Sequence, residues 1–172
     1  ASKVLRSRTT MQVGAEIFGD SSIEAELESI KLMLNSLKIS GVQSITLSLG
    51  HAGFTASVLE PFKSLGKEIF SNIETALSKK SKSDLMAIIP DNHESKSSLI
   101  NLCNMYGKKD VLKIAKTEYS NIKNSDNLLD HLEKVVTELE DFTKVNLHID
   151  LGEIQGFKYH NGIVFSAYSD SA

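Results

Sequence analysis

The sequence has 172 residues, a formal net charge of −3, one cysteine and no tryptophan. This length suits one domain, 41% hydrophobic residues are enough for a buried core, and no run approaches the ~20 apolar residues that span a bilayer. The near-neutral charge without a basic cluster gives no support to nucleic-acid binding, and the single cysteine fits a reducing cytoplasm.

The first element predicted from the pattern is a strand over residues 11–18. Gln12, Gly14 and Glu16 alternate with apolar residues and therefore share one face. That face is either a solvent-facing edge or a polar floor beneath a ligand.

An amphipathic packing helix is predicted over residues 20–38, because apolar residues recur at helical spacing. Ser21 and Glu24 fit a capping box at its start, and Gly41 ends it. A half-buried antiparallel strand follows at 42–50, where apolar residues alternate with Ser and Thr. His51 comes directly after it and is either a structural histidine or a ligand or base, although no partner stands at metal-binding spacing.

Residues 53–142 are predicted to be helical and to form a lobe of their own on the sheet. Pro61, Gly66 and Pro90 divide this block, and Ser83 is the expected cap of a segment at 85–89. The last helix carries a core stripe at residues 128–142. His93 and His131 lie among polar residues and are expected to face solvent.

Two further strands are predicted at 145–151 and 163–168, joined through the hairpin signal Asn161-Gly162. The polar residues between them form either an exposed turn or a functional loop. They are Glu153, Gln155, Lys158, Tyr159 and His160. Sequential strands with segregated helices predict an α+β fold, and no Gly-rich loop follows a strand as in βαβ nucleotide folds.

Residues 159–168 read Tyr-His-Asn-Gly-Ile-Val-Phe-Ser-Ala-Tyr and resemble a loop of ATP phosphoribosyltransferase regulatory subunits. The same loop in histidyl-tRNA synthetases reads Arg-Gly-Leu-x-Tyr-Tyr and binds histidine. Residues 12–19 read Gln-Val-Gly-Ala-Glu-Ile-Phe-Gly and match Gln-x-Gly-x-Glu-x-x-Gly of these synthetases. The chain is therefore identified as a synthetase-like relative whose similarity spans nearly all its residues.

The resemblance implies a class II synthetase-like antiparallel sheet with flanking helices. Residues 1–172 would be a single domain with a helical insertion at about 53–142, as an internal piece of a longer chain. Arg6 would be a vestigial motif 2 arginine, followed by a loop at 7–10 that is shorter than in the family. A histidine-like pocket would use Gln12, Glu16, Gln155, Gly156, Tyr159 and His160, with no metal and no cofactor.

Gln155 departs from the synthetase pattern, which has a catalytic arginine at this position. Glutamine can form hydrogen bonds but cannot offset the charge of an oxyanion. Losing one preorganised stabiliser typically costs ~10²–10³ in rate. His160 also replaces the second tyrosine of the loop. Such a site would hold an amino acid without activating it.

The resemblance thus predicts a cytoplasmic, non-catalytic regulatory subunit of ATP phosphoribosyltransferase. Its partner would be the short-form catalytic subunit in a hetero-octamer, and its effector histidine, bound in the old synthetase pocket or at the subunit interface. The alternatives are an active histidyl-tRNA synthetase core and a scaffold with an empty pocket.

Overall fold

The computed structural model describes residues 12–142, 145–154 and 161–169, with side chains omitted at 141 and 142. Within these ranges the fold is α+β, with helices on a four-stranded sheet. The helices are α1 (Ile23–Ile39), α2 (Ala52–Leu59), a 3₁₀ helix (Glu60–Leu65), α3 (Lys67–Ser78), α4 (Lys82–Ile88), α5 (Lys96–Leu102), α6 (Asp110–Glu118) and α7 (Ser125–Phe142). The strands are β1 (Ile45–His51), β2 (Tyr106–Gly107), β3 (Asn146–Asp150) and β4 (Ile163–Ser169).

The helix caps lie close to their predicted positions but use neighbouring serines. Ser22, in an extended conformation, accepts a hydrogen bond from the Ala25 amide at 3.3 Å and caps α1, so the prediction of Ser21 is wrong by one residue. Ser81 caps α4 in place of Ser83, accepting from the Asp84 amide at 3.4 Å. A cap must lie outside the helix, and Ser83 lies in its first turn.

The predicted breaks in the helical block are confirmed. Pro61 lies at the start of the 3₁₀ helix, where a backbone N–H would have no partner within the helix, so the lack of an N–H in proline costs nothing. Gly66 separates this helix from α3 with φ of +96°, a value that suits glycine. Helix α4 ends at Ile88, two residues before Pro90.

The sheet order is β2-β3-β1-β4, with β1 antiparallel to β4 but parallel to β3. The sheet is therefore mixed, and the prediction that all its strands run antiparallel is wrong. The helices between β1 and β3 form a crossover connection, which returns the chain to the sheet in the same direction. The predicted hairpin is also wrong, because β1 lies between β3 and β4, and the φ of Gly162 is not positive.

The strand predicted at residues 11–18 is not formed in the described part, residues 12–18, which pairs with no described strand. Val13 and Phe18 are 96% and 84% exposed. Alternation indicates which residues share a face, whereas a strand also requires a neighbour that completes its hydrogen bonds.

A single hydrophobic core joins the sheet to the helices. Helix α7 packs on β1 and on α1, and β2 comes from the helical block and extends the sheet edge. Lys80 Nζ lies 2.6 Å from Asp150 Oδ1 and links this block to the end of β3. These contacts join the helical block to the sheet, and the single domain of residues 1–172 with a helical insertion at about 53–142 stays a prediction. None of the described helices is long and apolar enough to cross a membrane.

Candidate functional site

One face of the sheet is polar and lies opposite the side that packs on α1 and α7. We call it the polar sheet face. The strand register places Ser48 of β1 beside His148 of β3 and Ser166 of β4. Its members are Thr46, Ser48, Asn146, His148, Glu153, Ser166 and Tyr168. Because alternate residues of a strand point to opposite faces, the same strands present apolar side chains such as Leu47, Ile149 and Phe165 to the helices on the other side.

Two serines of the polar sheet face hold the carboxylate of Glu153 through hydrogen bonds. Ser48 Oγ donates to Glu153 Oε2 at 3.4 Å, and Ser166 Oγ donates to Glu153 Oε1 at 3.4 Å. Gly50 makes room for this arrangement, because a Cβ there would lie 2.6 Å from the Asp150 carbonyl oxygen and 3.6 Å from Glu153 Cβ. A carboxylate held over the sheet suits a cationic ligand group such as an ammonium.

Other hydrogen-bonding and aromatic groups lie along the same side of the sheet. Asn146 Nδ2 donates to Thr46 Oγ1 at 3.3 Å, and the rings of Tyr106 and His148 lie 6.1 Å apart with a tilt of 43°. Tyr168 is 60% exposed. These groups can bind and orient a small polar molecule. In the part of the chain that the structure describes, no three His, Cys, Asp or Glu side chains are grouped as a metal site requires.

A second polar cluster lies on the helix-facing side, where β1 ends. His51 Nε2 lies 3.2 Å from His131 Nδ1 of α7, and His131 Nε2 lies 2.8 Å from Glu26 Oε2 of α1. His51 is only 1% exposed, and burial, reinforced by the charge of His131, lowers the pKa of His51 to about 4. His51 is thus a buried, hydrogen-bonded histidine.

The prediction that His131 faces solvent is wrong, because it packs between α1 and β1. Its spacing from Leu128 and Val135 places it at the edge of the apolar stripe, and this signal could have identified it. His93 is also not a simple solvent residue, since its ring stacks on buried Phe62 at a centroid distance of 4.4 Å.

The predicted pocket residues are placed only in part. Gln12 and Glu16 are exposed in the segment before α1. Arg6, Gln155, Gly156, Tyr159 and His160 lie outside the described residues, so the pocket stays a prediction. Sequence reasoning noted Glu153 in the polar loop but did not include it in the site. The signal that could have identified Glu153 as a site residue is its position just after a buried strand.

Comparisons with known proteins agree with the fold. The family model for histidyl-tRNA synthetase matches residues 1–172. A regulatory subunit of ATP phosphoribosyltransferase from Polynucleobacter necessarius subsp. necessarius is 34% identical over 95% of this chain and 43% of its own length. A protein of the same name from Nitrosospira multiformis is 31% identical over 99% of this chain and 44% of its own length. The chain thus spans less than half the length of these relatives.

Solved structures show the same architecture. One from Bacillus halodurans, named as an ATP phosphoribosyltransferase regulatory subunit/histidyl-tRNA synthetase, aligns with a TM-score of 0.72 and 23% identity, over 90% of this chain and 41% of that one. A histidyl-tRNA synthetase from Nostoc aligns with a TM-score of 0.69 and 13% identity, over 87% and 37%. At these identities the structures show the fold alone, and that fold is synthetase-like.

Proposed function

The chain belongs to the histidyl-tRNA synthetase family, and from this premise we propose that it forms part of a regulatory subunit of ATP phosphoribosyltransferase. The observation that carries the proposal is the identity of 31–34%, over 95–99% of the chain, with proteins that bear this name. The subunit has no catalytic activity of its own. Its short-form catalytic partner transfers a phosphoribosyl group from phosphoribosyl pyrophosphate to ATP.

The distribution of charge favours this proposal over an active synthetase. Arg6 and Arg8 are the only arginines in the sequence, and the loop position that resembles the synthetase arginine is Gln155. Activation of an amino acid develops negative charge on a carboxylate and a phosphate, which a neutral amide cannot offset. The polar sheet face instead adds the carboxylate of Glu153, which suits a cationic group.

The proposed effector is histidine, bound between the segment of residues 12–16 and the loop 155–160. Glu16 accepts from the ligand's ammonium and Gln12 orients a polar atom of the ligand. Gln155, Gly156, Tyr159 and His160 cover it. The subunit works in the cytoplasm, within a hetero-octamer of four catalytic and four regulatory chains. Histidine inhibits the complex if it binds the inactive state more tightly than the active state, and a difference of a few kcal/mol is enough.

The experiment purifies the full-length protein with the catalytic subunit and measures phosphoribosyl transfer with and without histidine. We expect the subunit to raise activity and to confer inhibition by histidine. No stimulation of the catalytic subunit would refute the regulatory function. Histidine-dependent ATP–pyrophosphate exchange by the full-length protein would instead establish a synthetase.

Glu16→Gln tests the proposed pocket, because it keeps the size of the side chain and removes its charge. A charge-assisted hydrogen bond of about 1.5–3 kcal/mol corresponds to a roughly 10- to 100-fold higher histidine concentration for half inhibition. Glu28→Gln on α1 is the matched control and should leave the curve unchanged. An unchanged curve for Glu16→Gln, with assembly intact by light scattering, would place the feedback site elsewhere, such as at the subunit interface.

A further inference from the structure

The turn between β3 and the proposed ligand loop is held by a charged pair that the proposed function does not use. Lys80 Nζ, at the end of α3, donates to Asp150 Oδ1 at 2.6 Å, and the Gly152 amide donates to the same oxygen at 2.9 Å. The side chains of Lys80 and Asp150 are 28% and 18% exposed, so water screens this pair less than it screens an ion pair on the open surface. One carboxylate oxygen thus joins the helical block to the backbone of residues 150–153.

The backbone of this turn is also fixed on its other sides. The Leu151 amide donates to the Met105 carbonyl at 2.9 Å, and Thr55 Oγ1 of α2 donates to the Leu151 carbonyl at 2.9 Å. A Cβ on Gly152 would lie 2.7 Å from Lys80 Nζ, so the ammonium lies directly against the turn. A displacement of Lys80 would therefore change the surroundings of the Gly152 backbone.

Lys80 has a backbone conformation that usually requires glycine. Its φ is +53°, and the Ser81 amide donates to the Ala76 carbonyl at 2.9 Å, which is the hydrogen bond of a Schellman motif at the end of α3. Glycine is the common residue at this place, because a Cβ is unfavourable there. The end of the helix therefore does not need a lysine, and the contact with Asp150 is what the lysine adds.

The turn leads directly into the candidate site. Glu153 follows it, with its amide donating to the Asp150 carbonyl at 3.4 Å and its carboxylate held over the polar sheet face by two serines. Ile154 packs against the core, and the loop 155–160 that the resemblance assigns to the ligand comes next in the chain. The position of Asp150 therefore fixes both Glu153 and the point from which this loop begins.

We propose that Lys80 is a positioning residue for effector binding. By holding Asp150, it keeps the turn 150–153 in the arrangement that places Glu153 and the beginning of the ligand loop. Lys80 acts through Asp150 and the turn, not by touching the ligand. The inference rests on the proposed function, in which the effector is histidine, and it joins the helical block to the ligand because Lys80 lies between α3 and α4.

Hydrogen exchange of the full-length protein tests the contact without the catalytic subunit or histidine. Lys80→Gly removes the ammonium and suits the positive φ, so it breaks the contact with Asp150 without straining the end of α3. We expect the peptide that covers residues 150–153 to exchange faster in this variant than in the wild type. Lys79→Ala is the matched control, because it removes the neighbouring, exposed lysine and should leave this exchange unchanged. Unchanged exchange in Lys80→Gly would overturn the proposal.

The reconstituted complex tests the effect on the ligand. In complexes that light scattering shows to be assembled, Lys80→Gly should raise the histidine concentration for half inhibition by at least about 5-fold, the lower end of typical coupling between two sites. Lys79→Ala should leave it unchanged. A wild-type curve for Lys80→Gly, together with faster exchange at residues 150–153, would show that the turn does not position the ligand and would overturn the proposal. A wild-type complex without any inhibition would refute the proposed function instead, and the exchange result would still decide whether Lys80 holds the turn.

A double-mutant cycle distinguishes positioning through Asp150 from a general loss of stability. Asp150→Asn keeps an acceptor for the Gly152 amide but removes the charge that holds Lys80. Since Asp150→Asn and Lys80→Gly break the same contact, the double variant should shift the half-inhibition concentration no further than the larger of the two single shifts. Shifts that multiply would show that the two residues act independently, and this outcome would also overturn the proposal.

Discussion

The two faces of β1 differ in the kind of contact that their residues make. Toward the helices, Leu47 and Leu49 are fully buried in the common core. Toward the polar sheet face, Ser48 holds Glu153 and Gly50 lets the Asp150 carbonyl approach. Several apolar residues of similar volume could fill the first face, whereas the second depends on particular atoms. The contrast indicates that stability should depend mainly on the helix-facing side and ligand recognition on the polar side.

The largest expected effect is on the helix-facing side. Leu49→Ala removes a fully buried side chain and should lower the free energy of unfolding by about 2–5 kcal/mol. Leu32→Ala is the matched control, because Leu32 is 49% exposed on α1 and should cost less than about 1 kcal/mol. Urea denaturation of the full-length protein, followed by circular dichroism, measures both. Equal losses in the two variants would contradict the core assignment.

The next effect concerns His51 and the pH dependence of stability. Its pKa is lowered on folding from 6.5 to about 4, so the unfolded chain binds more protons between these values. The contribution of neutral His51 to the free energy of unfolding is therefore complete above pH 6.5. It decreases as the pH falls toward 4, by about 1.4 kcal/mol per pH unit and about 3 kcal/mol in total.

The urea midpoint of the wild type should fall over this range more steeply than that of His51→Gln, which has no ring to protonate. His148→Gln, on the polar sheet face, is the control and should retain the wild-type slope. Parallel pH profiles of the wild type and His51→Gln would show that His51 is not held neutral in the folded protein.

The smallest expected effect lies on the polar sheet face. Ser48→Ala removes a 3.4 Å hydrogen bond to Glu153 and should cost about 0.5–1.5 kcal/mol of stability. Ser36→Ala is the control, since Ser36 is exposed and bonds only within α1. A loss comparable with that of Leu49→Ala would show that both faces contribute equally to folding and would remove the contrast between them.

Local pattern was enough to predict much of the fold. Helical spacing and breaks at Pro61, Gly66 and Pro90 predicted the helical block, because those signals act within a few residues. Alternation also predicted the strands at 45–51 and 163–169 to within a few residues. Of the site, the sequence predicted the polar loop in which Glu153 lies, but not the serines that hold its carboxylate.

The errors concern partners that are distant in the sequence. Parallel pairing of β1 with β3 depends on the path of all the helices between them. A short stretch of sequence does not reveal that path. The segment at 12–18 has strand-like alternation, but pairing depends on a neighbour. The contact between His131 and His51 joins residues 80 positions apart, so local polarity wrongly indicated solvent.

The central position of β1 has a consequence for synthesis on the ribosome. Thr46 contacts Asn146, which is 100 residues further along the chain, and the other neighbour of β1 is translated later still. At roughly 5–20 residues per second, β1 therefore leaves the ribosome several seconds before either neighbour exists. During that interval its two edges are open to pairing with other nascent chains. Helix α7, which packs on β1, is translated only just before β3, so we expect β1 to lack this cover for most of the interval.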